Sequence, residues 1–271
     1  METAGRSLRA PSELHAFNRY EIKYLVDVSA VDDLRRRLAE RLDHDADYPV
    51  WSLYYDTQRL RFYWEKVEGL RFRRKLRLRH YGPPSALTDD GQVFVEIKQR
   101  VNRVTQKRRV ALPYATARQL CDAREPVPHS PAQRGFVEEV LGLVSGLDLR
   151  PTTVTGYHRE AYAGRGAELG LRVTIDQRVR GRDRDLRLDL ETENRFIVPP
   201  ARAIVEVKAN ERVPSWFTDL AAERSLSVVR ISKYCQSVEV FGRAPRSVFH
   251  VHETDPGSAP DPAPDPQEVA R

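Results

Sequence analysis

Five cations recur at every second position between Gly69 and Gly82, in the run GLRFRRKLRLRHYG. In an extended strand, side chains alternate between faces. Arg71, Arg73, Lys75, Arg77 and Arg79 then share one face. Phe72, Leu76 and Leu78 take the other, with Arg74 and His80 as exceptions. A row of like charges on one face repels itself, and a polyanion lying against it offsets that repulsion. A basic face turned to water is the plain alternative.

A second pattern bears on that choice. Glu-x-Lys recurs in strand-like sequence as Glu21-Ile22-Lys23, Glu96-Ile97-Lys98 and Glu206-Val207-Lys208. Each pair puts both charges on one face. Phe94-Val95 and Ala203-Ile204-Val205 set two of the pairs in apolar surroundings. Charges there must be paired or face a wet interior. The interior of a barrel wide enough for a chain-like anion supplies one. Carboxylates in such a tunnel can hold a hard divalent cation that bridges phosphate oxygens. Glu206 is the first candidate ligand, with Asp176 and Glu96 behind it.

Other chemistries find no support. No GxxxxGK[ST], GxGxxG, GxSxG or HExxH occurs. The two cysteines, Cys121 and Cys235, form no CxxC, which argues against a zinc site or disulfide framework and for a reduced, cytoplasmic setting. His250 and His252 read as exposed residues. Arg35, Arg36 and Arg37 read as the solvated side of a helix.

The elements that must position these residues follow from patterning. The chain has 271 residues, 40% of them hydrophobic, with 31% charged residues and a formal net charge of +6. That excess suits an anionic ligand without marking a DNA-binding protein. No apolar run reaches the length of a membrane-spanning helix, and the N-terminus does not read as a secretory signal. Residues 1–16 read as a flexible leader and 243–271 as a disordered Pro/Asp-rich tail, leaving one domain over 17–242. Strands are expected at 19–27, 51–56, 69–81, 93–100, 103–113, 152–162, 171–177, 186–191 and 203–209. Helices are expected at 29–42, capped by Ser29, at 130–146, opened by Ser130-Pro131, and at 215–224. The fold class is α+β, an antiparallel β-barrel with flanking helices.

The runs RYEIKYLVD, SLYYDT, RRKLRLRHYG, VFVEIKQR, TGYHREAY, LRVTID, AIVEVK and VVRISKYCQS stand in the same order as in VTC domains. Over residues 17–242 the chain resembles these catalytic domains of polyphosphate polymerases, within the triphosphate tunnel metalloenzyme (CYTH-like) superfamily. The resemblance implies a tunnel fold, ATP as phosphoryl donor, Mn²⁺ or Mg²⁺ as cofactor, and polyphosphate as product. By motif it assigns catalytic roles to Lys23, Arg77, Arg79, Lys98, Arg159, Arg172 and Lys233. It assigns substrate contacts to Lys75, Tyr157, Lys208, Arg230 and Ser232, and the metal to Glu206. Arg230 stands where fungal members have lysine, so the charge is kept and the geometry differs. Arg19 replaces the first Glu of the superfamily's ExExK, which weakens the case for a two-metal triphosphatase.

The reaction then expected is in-line attack of a polyphosphate terminus on the γ-phosphorus of ATP. Phosphoryl transfer of this kind depends on positioning and charge neutralisation, so a protein nucleophile is not needed. A tripolyphosphate or nucleoside triphosphate hydrolase in the same tunnel is the nearest alternative, and a non-catalytic polyphosphate-binding module the next. Nucleic acid is disfavoured, because few aromatics interleave the basic strand and a closed tunnel excludes a duplex. Transport across a membrane would require a separate membrane partner. Oligomeric state is not legible.

Overall fold

The computed structural model describes residues 20–102, 104–210 and 212–244. The leader expected over 1–16, Arg19, His250, His252 and the tail beyond residue 244 lie outside the described residues.

The described residues form one antiparallel sheet of ten strands. The strands are β1 (Tyr20–Asp27), β2 (Leu42–Asp56), β3 (Phe72–Tyr81), β4 (Gln92–Val101), β5 (Val104–Pro113), β6 (Arg150–Gly164), β7 (Arg172–Arg182), β8 (Arg195–Phe196), β9 (Arg202–Ala209) and β10 (Ser227–Val228). They run in the order β10-β1-β9-β7-β6-β2-β3-β4-β5, with β8 attached to β7. The helices are α1 (Val31–Ala39), α2 (Arg61–Val67), α3 (Tyr114–Arg118), α4 (Arg134–Gly146), α5 (Ser215–Glu223) and α6 (Lys233–Val240). The α+β class expected from patterning is what forms.

Alternation along the strands divides the sheet into two unlike faces. Leu76 and Leu78 of β3 and Val93, Val95 and Ile97 of β4 turn outward. They pack with Val137, Val140 and Val144 of α4. On the far side of the sheet, Val173, Val205 and Val207 pack with Leu34 and Leu38 of α1 and Phe217 and Leu220 of α5. Each such buried aliphatic or aromatic side chain stabilises the fold by about 1.5–3 kcal/mol. Helices therefore cover the outer, apolar face, and the polar face is left to line an interior.

The sheet curls until β4 and β1 oppose each other. Lys98 Nζ lies 3.4 Å from Glu21 Oε2. The end strands β10 and β5 are not neighbours in the ladder. The expected barrel thus closes through side chains rather than through a complete backbone ring.

Three local expectations change. The stretch 186–191 is not a strand. The Arg182 guanidinium takes carbonyls of the stretch instead, with Nη2 donating to Arg187 O and, at 3.3 Å, to Leu190 O. The first helix ends at Ala39, because Leu42 already pairs with Gly164 to begin β2. Ser29 is not the cap. Asp27 instead caps a 3-10 turn over Val28–Ala30, accepting from the Ser29 amide at 3.0 Å, and α1 follows from Ala30 with no side-chain cap. Helix α2 carried no expectation. Its start depends on the carboxylate of Asp56 just upstream, which accepts from the amides of Phe62 and Tyr63 at 2.9 Å each.

Candidate functional site

The inner face gathers side chains from β1, β2, β3, β4, β5, β6, β7 and β9, with α6 added at one side. Two carboxylate centres organise it.

The first centre is Glu206 on β9. Register places Lys23 of β1 and Thr174 of β7 directly across from it. Lys23 Nζ and Lys208 Nζ each lie 3.1 Å from its carboxylate. Arg159 Nη2 stands at 3.6 Å and Lys233 Nζ at 3.7 Å. Asp176 of β7 shares the last two cations. It accepts a two-pronged contact from Arg159 at 2.6 and 2.7 Å and one from Lys233 at 2.6 Å. Lys233 Nζ also sits 4.4 Å from the Tyr157 ring centre. Burial pushes the Glu206 carboxyl up, but Lys208, Lys23, Lys233 and Arg159 outweigh it and hold it well below the usual carboxylate range. Asp176 is held down against burial by Arg159 and Lys233.

The second centre is Glu96 on β4, 1% exposed. Arg77 Nε donates to it at 2.7 Å, Lys107 Nζ lies at 2.7 Å, and Arg109 stands at 3.9 Å. Burial raises its pKa, and Arg77, Arg79 and Lys107 more than reverse that. Arg77 also donates to the Tyr54 hydroxyl at 3.0 Å. Burial opposes ionisation of Tyr54, yet Arg77, Arg79 and Lys75 draw it down to about 8. Arg79 donates to Ser52 Oγ at 3.1 Å and Tyr157 OH at 3.3 Å, so Tyr157 joins the two centres.

Between them lie Lys75, Lys98 and Glu21. Lys75 Nζ donates to Ser232 Oγ at 2.6 Å, and the same oxygen caps α6 by accepting from the Cys235 amide. Burial pushes the Glu21 carboxyl up, but Lys98, Lys23 and Lys208 hold it at about 2.

Of the residues expected from sequence, Lys23, Lys75, Arg77, Arg79, Lys98, Tyr157, Arg159, Glu206, Lys208, Ser232 and Lys233 come together in this interior. Arg172 stands at its rim, half-exposed and 2.8 Å from Asp45. Arg230 is exposed on the segment before α6. Glu96 belongs to the second centre, apart from Glu206, so it does not share a cation site with it. Tyr54, Lys107 and Arg109 carried no expectation. Glu21 lay in a recognised Glu-x-Lys, and Lys107 and Arg109 alternate on β5 as Arg77 and Arg79 do on β3. That alternation was the available signal.

The donor set suits a hard divalent cation only in company with phosphate. Among the described residues no group of three or more His, Cys, Asp or Glu is arranged to hold a metal. Mg²⁺ typically uses one or two protein carboxylates and completes its shell with water and phosphate oxygens. Glu206 and Asp176 meet that requirement. Thr174 Oγ1, paired across from Glu206, is buried without a hydrogen-bond partner and leaves a polar atom for a ligand to satisfy.

The model of the VTC domain family matches residues 18–242. Vacuolar transporter chaperone complex subunit 4 of Trypanosoma cruzi is 25% identical, the match covering 84% of this chain and 35% of that protein. The subunit 4 of Trypanosoma brucei brucei is 27% identical over 73% of this chain and 29% of its own length. The chain thus spans about a third of the curated relatives it matches. A crystal structure of a putative adenylate cyclase from Bacillus halodurans is similar with a TM-score of 0.49 and 13% identity, covering 82% of this chain and 95% of that one. With the family model matched over most of its length, the chain belongs to the VTC domain family.

Proposed function

We propose that this domain synthesises polyphosphate, transferring the γ-phosphoryl group of ATP to the end of a growing chain inside the tunnel. The observation that carries this is the convergence of Lys23, Arg77, Arg79, Lys98, Arg159 and Lys233 from four strands and one helix onto one enclosed lining. Arg77 and Arg79 grip phosphate oxygens in the two-pronged way that guanidinium allows. Lys23, Arg159 and Lys233 leave Glu206 and Asp176 for the incoming phosphates. Tyr157 orients Arg79 by hydrogen bonding and presents its ring to Lys233. A Mn²⁺ or Mg²⁺ held by Glu206, with Asp176 beside it, would neutralise charge on the transferring phosphate. The bond from the γ-phosphorus to the ADP oxygen breaks as the bond to the acceptor phosphate oxygen forms. ADP leaves carrying the electron pair, and the cationic lining stabilises it.

The curated relatives are named as subunits of a complex, and this chain is proposed to work with partner proteins in the same manner. Among the described residues no helix is long and apolar enough to cross a membrane. A membrane-spanning partner is therefore the proposed route for any transport of product.

The test is incubation with ATP and Mn²⁺, with products separated by gel electrophoresis. Long chains are expected. Orthophosphate alone would mean hydrolysis, and binding without turnover would mean a polyphosphate-binding module. Arg77→Ala is expected to lose synthesis; it also removes a partner of the buried Glu96, so it is expected to melt lower than wild type while still folding. Wild-type yield of polymer from that variant would overturn the assignment.

A further inference from the structure

The inner face of β3, β4 and β5 carries cations well beyond the two carboxylate centres. Cross-strand register sets them in rows. Arg77, Glu96 and Arg109 form one row, in which the carboxylate separates two cations. The next row toward the Phe72–Val101 end is Lys75, Lys98 and Lys107, three lysines side by side. The next pairs Arg73 with Arg100. Like charges directly opposite one another on neighbouring strands are destabilising. Among the described residues neither arginine of the last row has a carboxylate partner, and Arg100 Nε donates to the Asn102 carbonyl at 3.0 Å. A third cation joins them from α2, which docks on β3 where the Glu65 carboxylate accepts from the Arg74 amide at 2.7 Å. The Lys66 ammonium is pulled below its usual value first by burial, then by Arg73, Lys23 and Arg100. Arg73 is lowered in turn by burial and by Arg100. Three cations are thus held together at one mouth of the tunnel, continuous with its lining.

We propose that Lys66, Arg73 and Arg100 form an outlying anion site that grips a linear phosphate chain where it passes out of the tunnel. It rests on the tunnel reading above and deepens it by assigning this mouth to the long end of the polymer. The ligand is a chain rather than a single phosphate, because the rows are continuous with Lys75 and Lys98. A bilayer surface fits less well. Phe72, Val101 and Val104 are exposed nearby, yet Phe72 and Val101 alternate onto the face opposite Arg73 and Arg100. A flat membrane cannot meet both faces at once.

The site separates short ligands from long ones. Tripolyphosphate fills the central lining alone, whereas a long-chain polyphosphate also reaches the mouth. Binding of both is measured by calorimetry on the full chain and on an Arg73→Gln/Arg100→Gln double variant, across a salt series. The variant is expected to bind long chains about tenfold more weakly and tripolyphosphate within about twofold of wild type. Its salt dependence for long chains should be shallower, reflecting the lost phosphate contacts. Equal loss for both ligands, or no loss for either, overturns the proposal. So does unchanged long-chain affinity combined with lost binding to vesicles of anionic phospholipid. Failure of wild-type protein to bind even tripolyphosphate would instead sink the tunnel reading, and is recognised by that absence.

Discussion

Glu96 sits among Arg77, Lys107 and Arg109 with almost no access to water. Its charge is tolerable only because those cations are present, and theirs only because it is. Breaking a buried pair by removing one partner leaves an uncompensated charge. Glu96→Gln is therefore expected to destabilise the fold by roughly 3 kcal/mol in chemical denaturation. Tripolyphosphate should stabilise that variant more than it stabilises wild type, since phosphate replaces the missing anion. Equal stabilisation of the two proteins would show that Arg77 and Lys107 do not face the ligand. The same carboxylates set the response to acid. Glu21, Glu96, Asp176 and Glu206 are all held below their ordinary values by neighbouring cations. Groups with depressed folded values contribute stability above the unfolded value, about 4 for carboxylates, and lose it as pH falls through the folded one. Melting temperature should therefore hold down to about pH 4 and drop from there toward about pH 2, the Glu21 value. A Glu21→Gln/Glu96→Gln variant should show a shallower acid limb. An unchanged limb would mean these carboxylates are not ion-paired in the fold.

At the scale of elements, helix α6 is held by contacts that also orient tunnel residues. Tyr234 donates to the buried Asp56 carboxylate, and its ring stacks on Tyr54 with centroids 5.1 Å apart. Asp56 also accepts the first amides of α2, so one carboxylate secures α2 and α6 together. Burial raises the Asp56 pKa to about 6, and its hydrogen-bond donors only partly offset that. Tyr234→Phe removes one donor from a buried acceptor and is expected to lose about 1–2 kcal/mol. Because α6 carries Lys233, the variant should also show weaker tripolyphosphate binding. A loss of stability with unchanged binding would separate the helix from the site. In the sheet, Gly156 of β6 lies against Trp51 of β2, and a Cβ added there would come within 2.4 Å of the indole. Gly156→Ala forces two paired strands apart and is expected to destabilise by about 1–3 kcal/mol, read as a shifted denaturation midpoint.

For the whole molecule, the decisive feature is curvature. A flat version of this sheet would expose its basic face to water and would need no counter-ion. Curling brings β4 against β1, and cations far apart in sequence then confront the same carboxylates. A ligand that binds only this folded arrangement stabilises it by mass action, about 2.7 kcal/mol at a hundredfold excess over its Kd. Tripolyphosphate at that level should raise the melting temperature, and the rise should shrink with added salt as counter-ions compete. A shift insensitive to salt would argue against charge as the basis of binding.

Several features were decided by the residues alone. Alternation in 69–82 and the three Glu-x-Lys repeats announced strands with one ionic face, because side-chain direction in a strand follows from local backbone geometry. Local chemistry likewise placed β3 beside β4 across a turn and opened the helical stretch before α4 at Ser130-Pro131. Other features depend on groups brought from a distance. The segment 186–191 has strand-like composition, but Arg182 captures its carbonyls. Helix α6 docks where its Tyr234 reaches the distant Asp56 carboxylate. Pairing of Arg159 with Asp176, of Arg77 with Glu96, and of Lys75 with Ser232 requires register between separate strands and the docking of α6. Sequence spacing cannot specify those partners, since charge attraction acts through space and only the curled sheet sets the distances.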